Sequence, residues 1–381
     1  MAPTIVCAPD SFKHALTARD AAAAMAAGVQ DAWPGAVALE LPLSDGGEGF
    51  ADALAAALGA RLLPVPVLDA LGREALGEMA VAGRLAIIEV ASAVGLEAVA
   101  DDERAIWDAD TRGVGQLIVA ALDAGATELL IGLGGSATND GGAGMLAALG
   151  VRFLDAAGCE VATTPRGLAR LARIDATGLE TRLAGVTVRV ACDVDTPLTG
   201  PRGASAVFGP QKGASPDDVP RLDAILAAVA DLSGQGSRAT DAGAGAAGGL
   251  GFALLGFLGA SLTPGIALVA DLLHLDERVA GADLVLTGEG SVDAQTLAGK
   301  APAGVVDAAR RHGVPVVIFA GRVQPEAEAL RTDGAVEALV QITPAGQPLA
   351  EALAGAGENL RAGVAGYLAG RVRPGGIADD R

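Results

Sequence analysis

Four consecutive segments at the start of the chain decide the fold: the apolar run PTIVCAPDSF (3–12), the helical stretch TARDAAAAMAAGVQDAW (17–33), a second run VALELPLSD (37–45) and a second helix over 48–58. Strand-length apolar runs that alternate with helices predict parallel strands joined by crossover helices, and Thr17 stands where a helix N-cap is needed. The other end of the chain repeats the rhythm. ADLVLTGEG (282–290), a helix over 301–312, VPVVIFAG (314–321), a helix near 325–332, VEALVQITP (336–344) and a last helix over 348–369 precede a loose end, RPGGIADDR (373–381). Between the two ends the texture changes. LLPVPVLDALGREALGEMAVAGRLAIIEVAS (62–92) gives short strands with glycine-containing turns and no helix long enough for a crossover, which predicts antiparallel pairing. TELLIGLGG (127–135) and VTVRVACDVD (186–195) add two further strands. The expected architecture is α/β with two domains: a doubly wound parallel-sheet domain built from both chain ends (1–67 plus 286–381) and an inserted mixed-sheet α/β domain (68–285).

Composition excludes several functions. Hydrophobic residues make up 51% of the 381 and charged residues 19%, a globular balance. The 27 basic against 46 acidic residues give a net charge of −19, which repels phosphate backbones and anionic lipid heads, so neither nucleic acid nor a membrane is expected as a partner. Cys7, Cys159 and Cys192 are too few and too scattered for a disulfide framework, and with only His14, His274 and His312 any metal must be held by carboxylates. A cytoplasmic location is expected, because Asp10 interrupts the N-terminal apolar run before it resembles an export signal. Residues 242–270 carry no charge and are long enough to span a bilayer. Their glycine-rich first half and Pro264-Gly265 argue instead for a buried loop that feeds a core helix.

Residue scarcity marks the chemistry. Lys13, Lys212 and Lys300 are the only lysines beside 24 arginines, so each is a candidate for a compact point charge that a guanidinium cannot replace. Asn139, one of two asparagines, lies in LLIGLGGSATNDGGAGMLAALG (129–150), a strand, a glycine-rich loop and a helix. Backbone amides in such a loop, with the helix dipole behind them, form the general recipe for holding an anion. Gly134, Gly135, Ser136, Thr138, Asn139, Asp140, Gly141 and Gly142 are the candidates. Gly132, Gly134 and Ala137 also match the dinucleotide pattern G-x-G-x-x-A, but Asp155, where the ribose acid should stand, sits in a turn-like LDAAGCE.

Four acidic loops complete the set, each after a strand: Asp10 in APDSF, Asp45 and Glu48 in SDGGEG, Asp193 and Asp195 in CDVDTP, and Glu289 and Asp293 in TGEGSVD. Carboxylates at strand ends are where open α/β sheets place ligands, and such groups suit Mg²⁺ bound together with phosphate oxygens. Lysines, glycine amides and carboxylates, without a Ser/His or Cys/His arrangement, describe phosphoryl transfer better than hydrolysis or redox chemistry.

DSFK (10–13), SDGGEG (44–49), GLGGSATNDGGAGMLAALG (132–150), CDVDTPL (192–198), GPQKGA (209–214), AGAAGGLG (244–251) and TGEGSVDAQTLAGKAPAGV (287–305) together resemble the bacterial type-1 glycerate kinases. The resemblance implies ATP-dependent phosphorylation of glycerate, most often D-glycerate at its 2-hydroxyl. It also implies a Rossmann-like or flavodoxin-like domain assembled from both chain ends, with the active site in an interdomain cleft. Two departures stand out: His14-Ala15 follows Lys13 where the family has Gly-Ser, and Thr196 stands where Asn is common. With the chemistry above, the nucleotide phosphates fall to the Asn139–Gly142 loop and Lys300, and Mg²⁺ to Asp45, Asp193 or Glu289. Asp193, ahead of Asp45, is the expected base, Lys13 or Lys212 pairs with substrate charge, and Asp10, Ser11, Glu48, Asp195, Asp293 and Gln295 are the remaining substrate contacts. A kinase forming 3-phosphoglycerate or acting on a related hydroxy acid, an NAD-dependent oxidoreductase and a non-catalytic hydroxy-acid sensor are the alternatives.

Overall fold

The computed structural model describes residues 2–47, 49–293, 296, 301–332 and 334–371. Its strands in chain order are β1 (Thr4–Cys7), β2 (Val37–Glu40), β3 (Arg61–Leu68), β4 (Glu74–Ala82), β5 (Leu85–Glu89), β6 (Glu128–Gly132), β7 (Arg152–Leu154), β8 (Arg173–Asp175), β9 (Thr187–Ala191), β10 (Ser261–Thr263), β11 (Leu284–Val292), β12 (Val316–Val323) and β13 (Val336–Gln341). The chain divides into two compact units, Met1–Asp45 with Asp52–Gly59 and Ile266–Arg381, and Gly46–Ala51 with Ala60–Gly265.

The first unit holds a five-stranded sheet in the order β13-β12-β11-β1-β2, parallel throughout. Counted along this unit alone the order is 2-1-3-4-5, the flavodoxin-like winding, with the reversal between β1 and β11. Ile5, Cys7, Leu286, Val317 and Phe319 from the sheet pack with Met25 and Val29 of helix Ala18–Ala32 and with Leu360 and Val364 of helix Ala356–Arg371. Thr17 does cap the first helix, its hydroxyl accepting the Asp20 N–H at 3.1 Å. Gly28 allows the two helices to approach, since a Cβ there would lie 2.5 Å from the Arg361 carbonyl oxygen.

In the second unit the sheet runs β10-β9-β6-β5-β4-β3 and is mixed. The stretch 62–92 forms the antiparallel meander β3-β4-β5, and the pairs β5-β6, β6-β9 and β9-β10 are parallel. β3 belongs here because it pairs with β4 along its whole length. Its core is a continuous cluster that includes Ile88, Leu117, Ile131, Val190, Leu226, Leu250 and Phe252. In the uncharged stretch, helix Ala246–Phe257 opens on a kink in which Ala247, Gly248 and Gly249 all have left-handed backbone. Among the described residues no helix is long and apolar enough to cross a membrane.

Candidate active site

An open parallel sheet offers its ligand crevice beyond the carboxyl ends of the strands at the point of reversal, which in the first unit is the β1/β11 pair. Asp10 lies there, three residues past β1, and Glu289 lies on β11; each is 8% exposed. The Asp10 N–H donates to the Gly288 carbonyl at 2.9 Å and the Thr287 hydroxyl to that of Ala8 at 2.7 Å, so the two loops are laced together. Gly288 has no room for a side chain, because a Cβ would meet the Phe319 carbonyl oxygen at 2.1 Å. The Asp10 carboxylate accepts the Ser11 N–H at 2.6 Å. Burial, then the charges of Asp45 and Glu289, push its pKa up to about 7 against the pull of that N–H and of Lys13. Glu289 accepts the Thr296 hydroxyl at 2.9 Å, and the same hydroxyl accepts the Asp293 N–H at 3.1 Å.

Lys13 is exposed, in the tight turn where Phe12 and Leu16 pair. The family's glycine after this lysine has a physical reason: His14 sits at φ +62°, a left-handed conformation that glycine adopts without strain. Glu48, Gln295 and Lys300 lie outside the described residues. Among the described residues no three His, Cys, Asp or Glu side chains converge to hold a metal ion by themselves.

The glycine-rich loop of the second unit follows β6. Gly134 has no room for a side chain, because a Cβ there would lie 2.8 Å from the Gly47 Cα. The Gly135 carbonyl accepts from Leu96 N–H at 2.6 Å, and the Ala137 N–H donates to Val94 O at 2.8 Å. Ser136, Thr138, Asn139 and Asp140 are all buried. The expectation of a helix N-terminus open to a ligand anion needs correction here. Helix Ala143–Ala148 has six residues, and the anion at its start is the chain's own Asp140 carboxylate. One oxygen accepts from Thr111 N–H (2.9 Å), Thr111 hydroxyl (2.8 Å) and Gly144 N–H (2.9 Å), the other from Gly142 N–H (3.1 Å). The Gly141 N–H likewise goes to Gly248 O at 3.0 Å. The amides of Gly141 and Gly142 are therefore spent on building the loop itself. Burial and the charge of Asp110 still push the Asp140 pKa up to about 6 against these donors.

Lys212 is 2% exposed and acts as a strut, donating to the Ser136 hydroxyl at 3.0 Å and the Thr138 carbonyl at 2.7 Å. Burial pulls its pKa down to about 7, partly offset by the charge of Asp140. The Asn139 amide donates to the Ser205 hydroxyl at 3.0 Å, whereas Asn139 Oδ1 and Thr138 Oγ1 are buried without a partner among the described residues. Orphaned polar atoms in a loop of this kind ask for a bound group or water.

Asp193 and Asp195 are exposed beyond β9, and one Asp193 oxygen accepts the Gly265 N–H at 2.9 Å. Thr196 is buried, its carbonyl accepting from Gly245 N–H at 2.9 Å. Asp155 Oδ1 accepts from Ala157 and Cys159 N–H, each at 2.9 Å, so it builds a turn and leaves the dinucleotide pattern without its ribose acid. Thr111 and Ser205 emerge only from the structure, as does the role of Gly248 and Gly249. The glycines carried a signal in AGAAGGLG: a Cβ on Gly248 would lie 2.0 Å from Thr138 O. Glu89 also emerges only from the structure, as a fifth acidic strand end beside the four acidic loops.

The comparisons agree on one family. The model of the glycerate kinase family matches residues 5–368. The chain is 48% identical to a glycerate kinase of Bacillus subtilis (strain 168) over 362 residues, 93% of this chain and 94% of that one. It is 41% identical to a glycerate 2-kinase of Escherichia coli (strain K12) at the same coverage, 93% and 94%. A crystal structure of a candidate glycerate kinase 2 from Salmonella typhimurium LT2 matches with a TM-score of 0.87 at 44% identity, covering 97% of this chain and 98% of that one.

Proposed function

Since the chain belongs to the glycerate kinase family, we propose that it transfers the γ-phosphoryl group of ATP to the 2-hydroxyl of D-glycerate, giving 2-phosphoglycerate and ADP. The observation that carries this reading is the acidic strand end of the first unit, where Asp10 and Glu289 are buried on two hydrogen-bonded loops at the point of sheet reversal and the charge of Asp45 also acts on Asp10. A buried acid at a sheet reversal, with two further carboxylate charges acting on it, offers a place for a cation. Mg²⁺ fits, because it takes one or two protein carboxylates and completes its shell with phosphate oxygens, which agrees with the lack of a three-donor cluster among the described residues. Asp45 and Glu289 are the residues of this unit that would hold it, and when bound it supplies charge neutralisation on the phosphates.

The chain's own residues do the rest. Asp193 takes the proton of the glycerate hydroxyl as the new O–P bond forms and the bond to the β-phosphate oxygen breaks. The hydrogen bond from Gly265 N–H holds one of its oxygens and so fixes the direction of the carboxylate. Lys13, exposed on its turn, pairs with the substrate carboxylate, and Ser11, Asp10, Asp195, Asp293, Glu48 and Gln295 are the remaining residues assigned to the substrate. The Gly134–Asn139 stretch and Lys300 hold the phosphates, and Lys212 keeps that stretch in shape from beneath. The test is ADP release that requires ATP, Mg²⁺ and D-glycerate together. Asp193→Asn should lower kcat by at least ~100-fold with an unchanged melting temperature; a folded variant with near-normal kcat removes Asp193 as the base.

A further inference from the structure

Left-handed glycines keep the segment after Asp45 out of any regular ladder: Gly46 has φ +95° and Gly49 φ +81°. Backbone amides in such a segment still need acceptors. Glu89, the last residue of β5, supplies them with both carboxylate oxygens. Oε1 accepts the Gly49 N–H at 3.1 Å and Oε2 the Ala51 N–H at 3.3 Å. Ala51 is the second residue of helix Phe50–Leu58, so one side chain joins the loop to the first turn of its helix. Glu89 is 8% exposed, and its own backbone is fixed by pairing with Gly132 of β6, whose carbonyl also accepts the Val90 N–H at 3.0 Å. At that same strand end the missing side chain of Gly132 admits the Gly46 carbonyl, which would lie 2.9 Å from a Cβ.

We infer that Glu89 is a positioning residue of the kinase reaction: its carboxylate anchors Gly49 and Ala51, and through them the chain that follows Asp45, to the strand end from which the glycine-rich loop departs. A carboxylate suits this role because it only accepts, and both of its oxygens meet N–H groups. Glutamine would turn an NH₂ toward one of them. The inference rests on the kinase function proposed above, and its test separates the two.

The full-length wild type and Glu89→Gln are compared by amide hydrogen exchange without ligands and by steady-state kinetics with ATP, Mg²⁺ and D-glycerate. Exchange over 46–51 should speed up by ~10-fold or more in the variant. kcat should fall by between ~10- and ~100-fold, the cost of misplacing a group near the chemistry, while KM for ATP stays within about twofold. Glu89→Asp, which keeps the charge on a shorter stem, should recover part of both effects, and it carries the same two readouts if Glu89→Gln does not fold. Unchanged exchange over 46–51, or faster exchange with kcat within about twofold of wild type, overturns the inference. A wild type inert toward ATP and glycerate overturns the kinase function and the catalytic half of the inference with it, while the exchange data decide whether Glu89 anchors the segment.

Discussion

Asp10 in the first unit and Asp140 in the second are both buried aspartates at the end of a strand-to-loop passage, and both have pKa values pushed well above the ordinary carboxylate range, to about 7 and about 6. Their surroundings are opposite. Asp140 receives four hydrogen bonds from Thr111, Gly142 and Gly144, whereas Asp10 receives the Ser11 N–H and is pressed by the charges of Asp45 and Glu289. One carboxylate therefore builds a loop, and the other stands among acids with a single donor, where we propose that cation and substrate bind. What tells them apart is the number of donors the fold supplies, not the residue type or its burial.

The comparison breaks most visibly at Asp140. Asp140→Ala leaves four buried donors without an acceptor and should destabilise the protein by about 3 kcal/mol, read from urea unfolding. A loss under about 1 kcal/mol would mean that water replaces the carboxylate and that the loop does not depend on it.

Asp10 should answer with the opposite sign. The folded chain holds a proton on Asp10 between pH 3.8 and about 7 where an unfolded aspartate has lost it, so stability falls as pH rises through that window and levels out above it. Asp10→Asn should raise Tm at pH 8 by at least about 2 °C and leave it unchanged at pH 3, yet lower kcat/KM by at least ~10-fold. A variant less stable than wild type at pH 8 would place Asp10 with Asp140 among the loop builders.

Lys212 and His14 sharpen the same contrast with smaller effects. Lys212→Arg must fit a guanidinium into a space that leaves the ammonium 2% exposed, and should cost about 2 kcal/mol of stability. If that change is neutral in denaturant titration, the survival of a lysine there is unexplained by space. His14→Gly relieves a left-handed residue at φ +62° and should stabilise by up to about 1 kcal/mol in the same titration. A destabilised His14→Gly would show that the imidazole makes a contact worth more than the strain.

The doubly wound first unit was legible because its strands and helices alternate with clear periodicity, and the meander 62–92 because its turns are marked by Gly72 and Gly83, both with positive φ. The chemistry was half legible. Scarcity singled out Lys212 and Asn139, but nothing in GPQKG or SATND says that both side chains turn inward, because Asn139 is turned by Ser205 and Lys212 by Ser136 and the Thr138 carbonyl, all distant in sequence from the residue they hold. Asp140 read as a ligand for the same reason: an acid among glycines looks like an open anion or metal loop until its donors from residue 111 are in place. Glu89 was missed because an acid after the apolar run LAIIE looks like an ordinary strand end, and its partners Gly49 and Ala51 lie 40 and 38 residues away.

The most direct measurement is to incubate the protein with ATP, Mg²⁺ and D-glycerate, follow ADP, and offer the product to enolase without phosphoglycerate mutase. ADP release with immediate enolase turnover is the expected result and establishes phosphorylation at the 2-hydroxyl. Turnover that needs mutase would place the phosphoryl group on the 3-hydroxyl, and folded protein that releases no ADP with D-glycerate, L-glycerate or other small hydroxy acids would contradict the account.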